Sequence, residues 1–139
     1  MTARHSLPCF FAALALLSGC GPTEHFAEVD GVLLVHGQPA PKMRIQFFPD
    51  IAKGTKGPAS FADTDAAGKF KLESRVGDEA RSGAVVGWHR VVLSDLQLAE
   101  SADGRGIPIR LPPQYTLAGS SPLVQEVVDG PQTIELVVP

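Results

Sequence analysis

Four histidines, His5, His25, His36 and His89, are the first groups to weigh for metal or acid–base chemistry. No two of them stand at the spacing a zinc site uses. His89 falls in a strand-like run beside Val91 and Leu93, so a packed, hydrogen-bonded imidazole is its expected role. The segment "DTDAAG" offers Asp63, Asp65 and Gly68 as the start of a calcium loop. Such a loop takes several oxygen ligands in series and usually a distal bidentate carboxylate. Here Ala67 stands where a third acid belongs and Lys69 follows. Asp65 and Gly68 are therefore expected to shape a turn, the carboxylate accepting backbone hydrogen bonds and the glycine taking a positive φ. No metal and no cofactor is expected from these residues. No G-x-S-x-G elbow accompanies the serines, and neither "GDEARSG" nor "ADGRG" fits a phosphate loop. Trp88, Phe48 and Tyr115 are the candidate ligand contacts, because outward-facing aromatics on a sheet mark an interaction surface.

Cysteine chemistry reads differently. The chain opens "MTARHSLPCFFAALALLSGC". Arg4 gives a positive start, Cys9 to Leu17 is almost unbroken apolar sequence, and Ser18 and Gly19 are small, as a signal peptidase requires. The run is far shorter than the ~20 residues that span a bilayer. Leu17-Ser18-Gly19-Cys20 resembles the bacterial lipobox. That resemblance implies cleavage between Gly19 and Cys20, with Cys20 as the lipidated residue; two or three acyl chains then anchor the mature chain stably. Removal of residues 1–19 also removes Cys9, so no free thiol and no disulfide remains to compensate for a small core. Gly21 follows the cysteine, which leaves open which membrane of the envelope carries the anchor.

The elements that must position the candidate residues are strands. The chain has 139 residues, 12 basic against 15 acidic, for a net charge of −3. This mild acidity argues against a nucleic-acid partner, which calls for a basic patch. Residues 20–28 read as a polar, lipidated tether and 29–139 as one domain. From Val29 onward the pattern has period two. "VDGVLLVHG" puts Val29, Gly31, Leu33 and Val35 on one face. "KMRIQFFPD" puts Met43, Ile45 and Phe47 on one side, and Pro49 ends the run. "ASFADTDAAGKFKLES" reads as a hairpin about Asp65 and Gly68, with Phe70 and Leu72 facing one way and Lys69, Lys71 and Glu73 the other. "GDEARSG" reads as a polar loop. "AVVGWHRVVLS" sets His89, Val91 and Leu93 against Trp88, Arg90 and Val92. Two final strands, "PLVQEVV" and "QTIELVV", are joined by "DGPQ". "SDLQLAESADG" is the only helical candidate, at most two turns. Six or seven short strands with turn signals between them predict an all-β fold, a single sandwich of antiparallel sheets.

Three stretches together resemble a family. "VDGVLLVHGQPAPKMRIQFFP", "TDAAGKFKL" and "GWHRVVL" resemble, in order and spacing, segments of the carboxypeptidase regulatory-like domains. The tail from Ile109 to Pro139 looks like that of small planctomycete lipoproteins. The resemblance implies a transthyretin-like (prealbumin-like) β-sandwich of about seven strands and a non-enzymatic accessory role. The same fold houses hydroxyisourate hydrolase, but its paired histidines, arginine and Tyr-Arg-Gly-Ser terminus are missing from a chain that ends "LVVP".

The expectation is thus an exported lipoprotein of the cell envelope, held to a membrane by Cys20. Its sandwich serves as a non-catalytic structural or protein-binding module, with loops 50–58, 75–83 and 95–120 presenting contacts to an envelope protein or polysaccharide. A carbohydrate-binding module using Trp88 and Phe48 is the alternative, and an envelope hydrolase using His89 a more distant one.

Overall fold

The computed structural model describes residues 24–101, 103 and 105–139. The leader, Gly19 and Cys20 lie outside them. Twelve strands follow in chain order: β1 (Phe26–Ala27), β2 (Val29–Val35), β3 (Gln38–Pro39), β4 (Met43–Pro49), β5 (Ser60–Asp63), β6 (Lys69–Lys71), β7 (Glu73–Val76), β8 (Glu79–Ser82), β9 (Ala84–Val85), β10 (Gly87–Asp95), β11 (Val124–Val127) and β12 (Gln132–Val138). One short helix, α1 (Leu96–Glu100), and two 3₁₀ turns complete the body.

Alternation in the sequence becomes alternation in burial, because successive side chains of a strand point to opposite faces. In β2, Val29, Gly31, Leu33 and Val35 are buried. In β4 the buried set is Met43, Ile45 and Phe47, and in β10 it includes His89, Val91 and Leu93. These strands lie in two sheets. The larger has six antiparallel strands in the order β11-β10-β4-β5-β7-β8. In the smaller, β2 pairs with β12 on one side and with β3 and β6 on the other. Their inner faces share one hydrophobic core: Val29, Leu33, Phe70, Leu136 and Val138 from the smaller sheet meet Met43, Ile45, Phe47, Val91, Leu93 and Val127 from the larger. Each such side chain, fully buried, contributes on the order of 1.5–3 kcal/mol relative to exposure. The fold is an all-β sandwich. Among the described residues the one departure from antiparallel pairing is β12, which runs parallel to β2 from Gln132↔Val29 to Val138↔Val35.

Three expectations change. The "DAAG" segment does not join two paired strands. β5 pairs with β4 and β7, whereas β6 pairs with β2, so the turn carries the chain from one sheet to the other. Leu72, buried between them, then returns it to the larger sheet as β7. "GDEARSG" is not a loop. Its residues Glu79–Ser82 form β8, paired with β7 from Glu73↔Ser82 to Val76↔Glu79. All four β8 residues are exposed, so no burial pattern marked the strand. The folded body also starts before Val29: Phe26 and Ala27 pair with Val85 and Ala84, Ala27 is buried, and the Arg81 guanidinium lies 5.4 Å from the Phe26 ring.

The strands run between two ends. One end gathers Glu24, Asp50, Gly87 and Trp88; the other gathers His36, Met43 and Asp95, as the β4–β10 register from His89↔Pro49 to Asp95↔Met43 requires.

Candidate functional site

Trp88 and Phe48 belong to the outer face of the six-stranded sheet. Arg90 lies opposite Phe48 and shares its face with Trp88, two residues earlier on β10. Trp88 is 36% exposed and Phe48 is half-buried. The loop after β4 holds Trp88 in place. Asp50 N donates to Trp88 O at 2.8 Å, and Trp88 N donates to Thr55 Oγ1 at 2.8 Å. Asp50 caps the 3₁₀ turn Ile51–Lys53 by accepting from Ala52 N, and Gly54 ends it in the left-handed region. This geometry brings Lys53 Nζ to 4.1 Å from the Trp88 ring centroid, a cation–π contact. Ile51, at the tip of the same turn, is 75% exposed. Glu126 lies directly across from Trp88 on β11. The result is an aromatic-aliphatic surface with a lysine over its main ring.

Tyr115 does not join this surface. It is 7% exposed and belongs to the core with Leu111. Pro113 opens the 3₁₀ turn Pro113–Thr116, and Tyr115 N donates to Pro112 O at 3.1 Å, which folds the ring inward. A proline-rich loop has no periodicity to announce that.

Asp65 and Gly68 form the crossing turn. Asp65 Oδ1 accepts from Ala67 N at 2.8 Å and Lys69 N at 2.9 Å. Gly68 has φ of 71°, and a Cβ there would stand 2.9 Å from both Ala40 N and Leu33 O. Asp63 points elsewhere, into a bidentate pair with Arg44 at 2.7 and 2.9 Å. Its hydrogen bonds to Arg44, and the guanidinium charge, hold the Asp63 carboxyl below the usual range against a smaller opposing effect of burial. Among the described residues no three of His, Cys, Asp and Glu gather as a metal would need.

His89 is fully buried. Its Nδ1 sits 3.1 Å from Gly87 O, its ring packs 5.7 Å from Phe47, and Nε2 has no hydrogen-bond partner. Burial lowers its pKa, against a smaller upward effect of the Gly87 carbonyl. The neutral ring with its proton on Nδ1 suits this setting.

A second polar centre, not anticipated from the sequence, lies at the far end. Arg110 grips Asp95 through Nε–Oδ2 at 2.7 Å and Nη2–Oδ1 at 2.5 Å, and its Nη1 donates to Pro41 O at 2.8 Å. Asp95 also caps α1 through Gln97 N at 2.9 Å. Burial pushes the Asp95 carboxyl up; the Arg110 hydrogen bonds, the Gln97 and Leu98 amides and the Arg110 charge together outweigh it and leave the pKa lowered. This clamp ties the 105–110 segment to β10 and presents Ile109, 80% exposed, beside a groove lined by Val35, His36, Pro39 and Pro41.

Comparison with known protein families, curated proteins and solved structures returns no match. Among the described residues no helix is long and apolar enough to cross a membrane.

Proposed function

We propose that this protein is an exported envelope lipoprotein whose β-sandwich acts as a non-catalytic structural or protein-binding module, akin to carboxypeptidase regulatory-like domains. The observation that carries the reading is Leu17-Ser18-Gly19-Cys20 after a short apolar run, with the first strand of a folded body beginning at Phe26. The groups with shifted proton affinity support a structural role. Asp63 and Arg44 join two strands, Asp95 and Arg110 clamp a loop, and His89 is walled off where no substrate reaches it. A protein partner fits the Asp95 end, where the clamped loop holds Ile109 outward next to an apolar groove.

The carbohydrate alternative draws on Trp88 and Phe48. Sugar stacking needs an open ring face, and Lys53 lies over one face of Trp88. Binding on a glycan array that is lost in Trp88→Ala would favour it. The hydrolase alternative would require substrate turnover abolished in His89→Ala.

The principal test is mass spectrometry of the protein recovered from bacterial membranes. A mature chain starting at an acylated Cys20, and loss of membrane association in Cys20→Ala, are the expected results. An unacylated, water-soluble chain would refute the reading. Cross-linking in the envelope, with recovery of one protein lost on Ile109→Asp, would identify the partner.

A further inference from the structure

We propose that the Trp88 end of the sandwich is the face that rests on the membrane, with Ile51 and Trp88 in the interfacial region and Lys53 and Lys56 at the headgroup phosphates. This rests on the anchoring reading above. The direction of the chain carries it. β1 runs antiparallel to β9, with Ala27↔Ala84 and Phe26↔Val85, and Val86 N then donates to His25 O at 2.8 Å. Going back along the chain therefore means moving toward Gly87 and Trp88. Glu24 lies beside Gly54, Thr55, Lys56 and Val85 around one shared hollow. Cys20 is four residues earlier, which is at most ~14 Å of extended chain. An acyl group on Cys20 thus holds this end of the body, and not the Asp95 end, within reach of the bilayer.

The side chains at that end suit an interface. Ile51 is the most exposed apolar group there, at 75%. Tryptophan favours the boundary where one end of a side chain is dry and the other wet. Lysines keep their charged heads at the water-facing side while their stems lie along apolar surface. Acids stand here too: Asp50 keeps its charge while it caps its turn through Ala52 N, and exposed Asp129 lies 3.0 Å from His25 Nε2. Glu24, Glu28 and Glu126 are further exposed acids of this end, so the lysines act as local headgroup contacts and not through a net positive face. The lysines and the apolar pair orient the body; the acyl chains supply most of the attachment, and tethering raises the local concentration of the face at the surface.

Trp88 is the only tryptophan of the chain, so its emission reports this face alone. The full-length protein, acylated in bacteria and purified from membranes, is reconstituted into phosphatidylethanolamine–phosphatidylglycerol vesicles with and without lipids brominated near the top of the acyl chain. A ring seated ~5–10 Å into the headgroup–acyl boundary gives blue-shifted emission that bromination quenches. The variant Ile51→Asp/Lys53→Glu/Lys56→Glu, changed only at exposed positions, is expected to float with the vesicles but lose the quenching. Flotation with emission indifferent to bromine would overturn the orientation while leaving the anchor intact. Full quenching in the triple variant would overturn it as well. Failure to float, with no acyl mass on Cys20, would instead remove the anchoring reading on which the proposal stands.

Discussion

Replacing Arg110 by alanine is the sharpest perturbation of this fold. Asp95 is the more enclosed partner, its side chain 3% exposed against 21% for Arg110. Truncation leaves that carboxylate buried with the backbone amides at the start of α1 as its partners. Breaking a fully buried pair costs about 3–5 kcal/mol. Arg110 is partly wet, and water can enter in its place, so about 2–3 kcal/mol is expected. With a urea m-value of roughly 1.5–2 kcal/mol/M, the midpoint falls by about 1–2 M. Asp95→Ala alone also loses the helix cap, worth about 1 kcal/mol. The double variant should cost less than the sum of the two, with a coupling of about 2 kcal/mol. The pH dependence gives an independent reading. Loss of Arg110 removes its hydrogen bonds and its charge, both of which lower the Asp95 pKa, so the folded-state pKa of Asp95 rises relative to that of the parent protein. The folded variant then binds more protons than the folded parent between their two Asp95 pKa values, so the stability deficit of Arg110→Ala relative to the parent shrinks as pH falls into the carboxylate range. Urea unfolding of the two single variants and the double at pH 7 and pH 5 measures all of this. A loss under 0.5 kcal/mol for Arg110→Ala, or strict additivity, would refute the clamp.

His89 should make the protein acid-sensitive. Its folded-state pKa is depressed by burial, so the unfolded chain takes up the proton first and stability declines as pH drops below about 6.5, by at most ~1.4 kcal/mol per pH unit; an unchanged slope in His89→Leu would show that another group is responsible. Gly31→Ala should destabilise by about 2–3 kcal/mol, because its Cβ would sit 2.1 Å from Ile134 O and β12 would have to move; a wild-type melting temperature would contradict this packing. Asp65→Ala should lower stability by about 1–2 kcal/mol through loss of two amide partners, measured by thermal unfolding, and Asp65→Asn should retain most of it.

The strands that bury one face were legible because their residues alternate. Val29, Leu33 and Val35, then Met43, Ile45 and Phe47, then His89, Val91 and Leu93, each fill the interior as their spacing requires. Glu79–Ser82 was not legible, because a wholly exposed strand carries no alternation. Nor could local pattern distinguish a hairpin from a crossing at Asp65. Both use the same turn chemistry, and only the distant pairing of Lys69–Lys71 with β2 decides between them. The outward phase of Trp88 and Phe48 followed from alternation, whereas the lysine over Trp88 depends on how a 3₁₀ turn folds back thirty-five residues away. The inward turn of Tyr115 and the reach of Arg110 back to Asp95 at the end of β10 come from irregular chain, where sequence neighbours do not set spatial ones.

The parallel pairing of β12 with β2 has a kinetic corollary. Thr133 Oγ1 bonds Asp30 Oδ1 across 103 residues, and seven consecutive pairs join the two strands over similar separations. Until those last residues are present, β2 lacks one neighbour and Leu33 lacks its cover from Leu136 and Val138. Contacts so remote in the chain form late and slowly. Closure of the smaller sheet therefore waits on the β12 segment, whereas the six-stranded sheet, none of whose strands pairs with β12, can assemble ahead of it.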